Sequence, residues 1–397
     1  MNIHPFAAVR PNVEDAASVA SVPYDVVDTA EAKALAEGNP KSFLHVSRPE
    51  IDLPAGTDCS SPEAYAQARK ALDGLIASGT LVRDAEPKFY AYRQTMGSHA
   101  QTGIVATFDT KDYLSGVLKQ HEKTRKDKED DRTRHIETLQ AHTGPAFLTY
   151  RDDPAIDLIV RDACAKAPLY DFVAPDGIGH TVWEIAPASA CVADELVELF
   201  ARIPVAYIAD GHHRSAAASR FARERDFAGE SRWFMAVIFP ASQLKILAYN
   251  RLVRDLNGLS APDFLSQVNE HFEIGRKGER NCRMYFGGSW YDLSWSIPAG
   301  SDVVSALDVS YLQDKLLAPV LGIGDPRTDK RISFMGGIRG DAALQAKVDS
   351  GENAVAFAME PVTVGEMMAI ADAGAIMPPK STWFEPKLRS GLFVHTV

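Results

Sequence analysis

Hydrophobic positions follow two patterns along the chain, short continuous apolar runs and longer stretches with helical spacing. The apolar run 203–208 predicts a short buried strand that ends at Asp210-Gly211. The alanine-rich stretch that follows predicts a helix from His212 to about residue 227. Strands and amphipathic helices alternate in this way over much of the chain. The pattern therefore predicts a mixed α/β fold with α+β character.

The same two patterns predict the remaining elements. Strands are predicted at residues 42–46, 88–95, 102–108, 146–150, 170–173, 181–185, 233–239, 245–250, near 284 and 291, at 332–335 and at 354–358. Helices are predicted at residues 29–36, from 62 to a closing Gly79, from near 131 to near 142, and at 155–166, 193–202, 262–271, 310–317, 342–348 and 364–372. The Ser61-Pro62-Glu63 sequence is typical of a capped helix start.

The chain shows no internal repeat and no low-complexity segment, so we expect all of it to fold. A change of composition at residues 255–259 predicts a domain boundary. We predict an N-terminal α/β region at residues 1–100, a core at 101–254, and a C-terminal α/β domain at 255–397. The C-terminal domain ends in an extended arm with three prolines, which exclude a regular helix there.

The composition and charge of the chain exclude several kinds of partner and site. The chain has 397 residues, of which 46% are hydrophobic, and a formal net charge of -11. This acidic balance makes nucleic acid an unlikely partner. The four cysteines, Cys59, Cys164, Cys191 and Cys282, lack the spacing of a metal site or a disulfide framework. Because neither a secretory signal nor a membrane-spanning run is visible, we expect a cytoplasmic protein with no membrane association.

The sequence Asp210-Gly211-His212-His213-Arg214 places three basic side chains in the first turn of the predicted helix. Cations are unfavourable at that end, where unpaired N–H groups and the helix dipole favour negative charge. A bound anion would explain the arrangement, and phosphate is the anion that we expect. The alternative is an ordinary turn followed by a solvated basic helix start.

Other segments carry weaker signals. Pro23-Tyr24-Asp25 can present a phenol and a carboxylate from a rigid turn, or it can be a plain surface turn. His121-Glu122 follows two apolar residues and opens a run of mixed charge that includes Arg132; such runs usually form solvated loops. The C-terminal arm either packs on its own domain or faces an anion through Lys380, Ser381, Thr382, Lys387 and Arg389.

The Asp-Gly-His-His-Arg sequence after a strand resembles the phosphate-binding motif of ParB-type partition proteins, sulfiredoxins and free serine kinases. The kinase motif has the same five residues, with an upstream catalytic glutamate that Glu122 matches. From Pro5-Phe6 to the Pro-Pro-Lys-Ser-Thr arm, the chain is similar to a prokaryotic domain of unknown function in that superfamily, some members of which are labelled SerC-like. Unlike the kinases, it has a long insert between Glu122 and Asp210, which leaves the substrate open.

The resemblance implies a ParB/sulfiredoxin-like nucleotide-binding core at residues 101–254 with flanking N-terminal and C-terminal α/β regions. It further implies a kinase-like phosphotransferase that uses ATP, ADP or another nucleotide, with Mg²⁺, to phosphorylate a small, serine-like hydroxyl compound. The implied catalytic residues are Glu122, His121 and Asp210. The implied phosphate-binding residues are Gly211, His212, His213, Arg214 and Ser215, whereas Tyr24, Asp25, Arg132, Lys380, Ser381 and Thr382 would contact the substrate or an anion.

Two other functions stay open at this point. The first is a ParB-like nucleotide-binding switch without phosphotransfer, in which nucleotide changes the association of subunits. The second is a nuclease, against which the acidic charge of the chain counts. The partners expected are a nucleotide and a small-molecule substrate, and the resemblance is compatible with a homodimer. The sequence identifies no metal ligands.

Overall fold

The computed structural model describes Met1–Arg276 and Gly278–Val397 and forms two units. The first unit comprises Met1–Leu244 together with Pro386–Val397, and the second comprises Lys245–Glu385. The second unit is therefore inserted in the chain of the first, whose final segment follows the insertion.

This division differs from the predicted one. The regions 1–100 and 101–254 fall together in the first unit up to Leu244, because strands from both regions pair in one sheet. The boundary expected at 255–259 lies at Leu244/Lys245, since the apolar stretch that follows belongs to the sheets of the second unit.

The strands and helices are numbered along the chain. The strands are β1 Ile3–His4, β2 Val9–Pro11, β3 Leu81–Arg83, β4 Lys88–Met96, β5 His99–Asp109, β6 Leu118–Lys119, β7 Ala141–His142, β8 Ala146–Tyr150, β9 Tyr170–Val173, β10 Gly179–Pro187, β11 Ala206–Asp210, β12 Trp233–Pro240, β13 Lys245–Leu247, β14 Tyr249–Val253, β15 Glu273–Ile274, β16 Arg280–Phe286, β17 Ser289–Trp295, β18 Ile332–Gly336, β19 Val355–Met359, β20 Trp383–Glu385 and β21 His395–Thr396. The α-helices are α1 Ala16–Val19, α2 Thr29–Ala36, α3 Leu44–Ser47, α4 Pro62–Ala77, α5 Thr110–Leu114, α6 Lys126–Leu139, α7 Pro154–Cys164, α8 Cys191–Ala201, α9 His212–Arg223, α10 Ala261–His271, α11 Asp308–Leu312, α12 Gly340–Asp349 and α13 Val364–Asp372.

A mixed sheet of nine strands forms the centre of the first unit, which confirms the α/β fold class. The strand order is β6-β11-β8-β12-β5-β4-β10-β9, with β1 paired to β5. β6 is parallel to β11, and β12 is parallel to β8. β11 is buried from Ala206 to Ala209, as expected of a strand covered on both faces, and Asp210 is its first partly exposed residue.

Helix α9 is fixed against this sheet by its alanine-rich face. Ala217, Ala218 and Phe221 are buried in the same core as Ile208 of β11 and Ala236 of β12. The small alanine side chains allow the helix to approach the strands closely. Because protein interiors are densely packed, side-chain size sets this distance. The core therefore fixes the start of α9 relative to the end of β11.

A sheet of six antiparallel strands, in the order β15-β17-β16-β19-β14-β18, forms the centre of the second unit. The hairpin predicted around Gly287-Gly288 is confirmed as β16 and β17. The strand predicted at residues 245–250 is instead two, because Lys245–Leu247 pairs with Trp383–Glu385 whereas Tyr249–Val253 joins the larger sheet.

Several helix predictions are confirmed, whereas one strand prediction and one helix start are wrong. Asp28 and Glu31 form a capping box at the start of α2, and the Ser61 side chain caps α4. The strand predicted at 42–46 is wrong, because this stretch contains helix α3. A short apolar run does not distinguish a buried strand from a buried helix. Helix α6 begins at Lys126, before the predicted start near residue 131. Asp127 and Glu129 in its first turn favour the earlier start.

The four cysteines are free; Cys282 is buried and Cys191 is exposed. Among the helices of Met1–Arg276 and Gly278–Val397, none has the length and apolarity needed to span a bilayer.

Candidate functional site

The candidate site lies at the edge of the nine-stranded sheet where β11 and β6 end. The two strands are parallel, with Ala206 opposite Leu118, so their carboxyl ends meet at the same edge. His121 follows β6 and His212 follows β11, and the two imidazole rings meet edge-on with centroids 4.7 Å apart. The fold thus brings together two motifs that the sequence places far apart.

The turn between β11 and α9 requires glycine. Gly211 has φ of +90°, and its N–H donates to Asp210 Oδ1 at 2.7 Å. A Cβ at this position would lie 3.1 Å from Arg214 Nε and 3.2 Å from Ala146 Cα. Both the backbone conformation and the available space therefore exclude a larger residue without strain.

The start of α9 offers polar groups that the described part of the chain does not satisfy. Gly211 occupies the cap position, and no side chain among the described residues caps the helix. Three buried side-chain atoms there also have no hydrogen-bond partner within the described residues: His212 Nε2, Arg214 Nε and Ser215 Oγ. Buried polar atoms in folded proteins normally have partners, so this group is suited to a ligand.

Two cations flank the Asp210 carboxylate. Lys387 Nζ lies 3.0 Å from Oδ2, and Arg214 Nη2 lies 3.8 Å from Oδ1. Burial by itself would raise the pKa of Asp210, but Lys387 and Arg214 outweigh it and hold the pKa well below its usual range. The carboxylate is therefore ionised, and these three side chains together carry one excess positive charge.

Burial favours the neutral form of the three histidines at the site. Burial lowers the pKa of His121 to about 4, although Asp210 acts in the opposite direction. Burial, and then His121, hold the pKa of His212 well below its usual value, and burial lowers that of His213 against the effect of Asp25. Because desolvation disfavours the charged imidazole, the expectation that His212 and His213 neutralise phosphate charge remains a prediction. They can still form hydrogen bonds to an anion.

The Pro23-Tyr24-Asp25 segment lies near this site in the first unit. Burial raises the pKa of Tyr24 to about 12, and the charges that act on its hydroxyl include Arg132 and Arg214. The guanidinium of Arg132 covers the Tyr24 ring at 4.0 Å and pairs with Asp131 at 2.8 Å. Arg132 is thus engaged within the protein, which argues against the direct anion contact that the sequence suggested.

Glu122 is exposed on the loop between β6 and α6, directly after the buried His121. Lys380, Ser381 and Thr382 belong to the second unit, where the Ser381 hydroxyl donates to the Pro378 carbonyl at 2.7 Å and Lys380 Nζ lies 5.3 Å from the Tyr249 ring. The approach of these three residues to the site remains a prediction.

One contact was not foreseen from the sequence. The carbonyl of Pro145, between β7 and β8, accepts a hydrogen bond from Arg214 Nη1. No local pattern signals this partner. A metal centre built from protein ligands alone is also absent from the described residues, since no three His, Cys, Asp or Glu side chains there form a suitable group.

Three solved structures are similar to the chain at a low level. A conserved hypothetical protein from Pyrococcus furiosus is 13% identical, with a TM-score of 0.35 over 74% of this chain and 95% of that chain. SbnI with C-terminal truncation from Staphylococcus aureus is 12% identical, with a TM-score of 0.40 over 74% and 87%. Free serine kinase in complex with AMP is 12% identical, with a TM-score of 0.37 over 73% and 91%. Similarity at this level carries no inference about ligands.

Sequence comparison gives a more definite assignment. No curated protein matches the chain. A family model, however, matches residues 3–310, more than three quarters of the chain. The matched segment contains β6, β11 and the start of α9, whereas Lys387 lies outside it. The chain therefore belongs to the family described as "Protein of unknown function (DUF1015)".

Proposed function

We propose that the first unit binds a nucleotide by its phosphates at Asp210-Gly211-His212-His213-Arg214 and transfers a phosphoryl group to a small hydroxyl compound. The main support is a helix start that no described side chain caps, beside Arg214, where buried polar atoms of His212, Arg214 and Ser215 have no partner among the described residues. Helix N-termini bind phosphate because their N–H groups and dipole both favour an anion.

Each residue of the motif has a role that follows from its position. The N–H groups of the first turn of α9 would contact phosphate oxygens, and the Arg214 guanidinium would neutralise their charge. Neutral His212 and His213 would donate hydrogen bonds without adding charge. Asp210 orients the turn through the Gly211 N–H.

Mg²⁺ fits this site only as part of a metal–nucleotide complex. Asp210 would supply one carboxylate oxygen, a ligand type that Mg²⁺ prefers, and phosphate oxygens and waters would supply the others. When bound, the ion would reduce the negative charge of the phosphates.

Glu122 would act on the acceptor. Glu122 is exposed on the loop that follows β6, the strand parallel to β11, so a hydroxyl compound could reach it from solvent. The acceptor oxygen would form a bond to the terminal phosphorus, the bond from that phosphorus to the bridging oxygen would break, and the hydroxyl proton would pass to Glu122. His121, buried and neutral, would hold the loop against α9.

The Glu122→Gln variant tests this assignment, because it keeps the shape of the side chain and removes the basic oxygen. We expect phosphotransfer to fall by about 10²-fold or more, with nucleotide affinity nearly unchanged, since a proton acceptor acts chiefly in the transition state. The measurement combines nucleotide consumption with a panel of amino-acid and hydroxy-acid acceptors and a binding titration.

The same experiment separates the alternatives. Undiminished turnover in Glu122→Gln would remove this residue from the mechanism. Wild-type protein that binds nucleotide but consumes none with any acceptor would favour the nucleotide-dependent switch. Wild-type protein that binds neither ATP nor ADP would contradict the nucleotide site itself.

A further inference from the structure

The segment that follows the inserted second unit returns to the first unit and is firmly anchored there. Arg389 is buried, donates to His180 Nε2 at 3.1 Å and pairs with Asp176. Further along, the segment forms backbone hydrogen bonds through Ser390 and Val394 and ends in β21, which pairs with β7. Arg389 thus serves to hold the segment rather than to face an anion.

This anchoring fixes the backbone of Lys387 at the candidate site. The Lys387 carbonyl accepts a hydrogen bond from Gln94 Nε2 at 2.8 Å, two residues before the buried Arg389. From this position its ammonium reaches Asp210 Oδ2 at 3.0 Å. The Ser390 hydroxyl borders the same region, since a Cβ on Gly144 would lie 3.2 Å from Ser390 Oγ and 3.9 Å from Arg214 Nη1.

The ammonium of Lys387 and the guanidinium of Arg214 both lie beside the Asp210 carboxylate. Two cations therefore face one carboxylate, and the three side chains together keep one excess positive charge. The lysine side chain is only 16% exposed, so a second cation has been brought out of water beside the first. The remaining positive charge lies next to the first turn of α9, which no described side chain caps and where N–H groups and the helix dipole favour an anion.

We propose that Lys387 is a phosphate-binding residue of this site, whose ammonium shares a phosphate oxygen with Arg214 when nucleotide is bound. The inference rests on the proposed function and extends it to a residue 177 positions beyond Asp210, which the chain reaches only after the second unit. Lysine is a common phosphate ligand in proteins, where it acts as a point charge. The ligand class is a nucleoside di- or triphosphate.

The test is a cycle of Lys387→Met, Asp210→Asn and the double variant. Asparagine keeps the oxygen that accepts the Gly211 N–H and removes the charge that Lys387 would balance. The probes are ADP, ATP and inorganic tripolyphosphate, titrated by calorimetry at fixed ionic strength, so that the result does not depend on the base. The matched control is Lys88→Met, because Lys88 is 17% exposed and pairs with Glu184 at 2.9 Å in the same unit.

If Lys387 binds phosphate, Lys387→Met should weaken binding by about tenfold or more in both the wild-type and the Asp210→Asn background. Lys88→Met should leave affinity unchanged. Equal affinity of Asp210→Asn and the double variant would overturn the proposal, because Lys387 would then be a counter-ion only. If Lys387→Met does not fold, Lys387→Arg tests the charge alone: affinity should stay within about threefold of wild type, and a larger loss would contradict a point-charge role.

These outcomes are distinct from a failure of the proposed function. Wild-type protein that binds none of the three probes would contradict the phosphate site as a whole. Wild-type binding that Arg214→Ala weakens but Lys387→Met does not would leave the phosphate site standing and remove Lys387 from it.

Discussion

Arg214→Ala is the most direct test of the phosphate site. In the structure the guanidinium donates to the Pro145 carbonyl, lies 3.8 Å from Asp210 and leaves Nε without a partner among the described residues. A charge-assisted hydrogen bond to phosphate contributes about 1.5–3 kcal/mol. Since about 1.4 kcal/mol corresponds to a tenfold change, we expect nucleotide affinity to fall by about 10- to 100-fold.

The variant should also lose some stability, because the Pro145 carbonyl loses its donor. One hydrogen bond contributes a net amount of roughly 1 kcal/mol to the free energy of unfolding, so the protein should stay folded at 25 °C. Affinity is measured by calorimetry with ADP and Mg²⁺ at fixed ionic strength, since screening alters such contacts. Arg10→Ala is the matched control, because Arg10 is equally exposed at 13%, bonds the Pro11 carbonyl and pairs with Asp84 at 2.8 Å.

Two results would refute the reasoning. Equal affinity in wild type and Arg214→Ala would show that the guanidinium does not contact phosphate. A similar loss in Arg10→Ala would show that the effect comes from general destabilisation and not from the site. A specific loss in Arg214→Ala, with unchanged affinity in Arg10→Ala, is the expected outcome.

Two further predictions concern stability. Gly211→Ala should lower the free energy of unfolding by about 1–3 kcal/mol in denaturant titrations. The loss should exceed that of the control Gly177→Ala, because an added Cβ there has no neighbour within 4 Å at a similar φ of +81°. Equal losses would mean that crowding at Gly211 is unimportant. Burial lowers the pKa of His121 to about 4 and the pKa values of His135, His142 and His180 to about 3. As the pH falls below 6.5, the unfolded chain therefore binds protons that the folded chain does not. The stability that these neutral histidines contribute should be present above pH 6.5 and fall as the pH drops toward 4. His142→Phe should flatten the plot of the free energy of unfolding against pH between pH 6.5 and 5. An unchanged slope would contradict an origin in the buried histidines.

Much of the fold could be predicted from the sequence because it depends on neighbours along the chain. The strand–turn–helix from Ala206 to Arg223 follows from an apolar run, a glycine at a left-handed turn and an alanine-rich face. The capping box of α2 and the Ser61 cap of α4 are local in the same way. Where local signals were ambiguous, as in the apolar stretch that forms α3, the prediction was wrong.

What the sequence by itself determined is therefore the α/β class, most of the elements and the motif from Asp210 to Arg214. Only the tertiary structure decided which residues belong to the site and what net charge they carry. Burial makes the histidines neutral, Asp131 engages Arg132, and the positive charge comes from Arg214 together with Lys387. The physical reason is that a pKa depends on desolvation and on charges within a few ångströms, and chain folding brings those charges from distant segments that no local pattern connects.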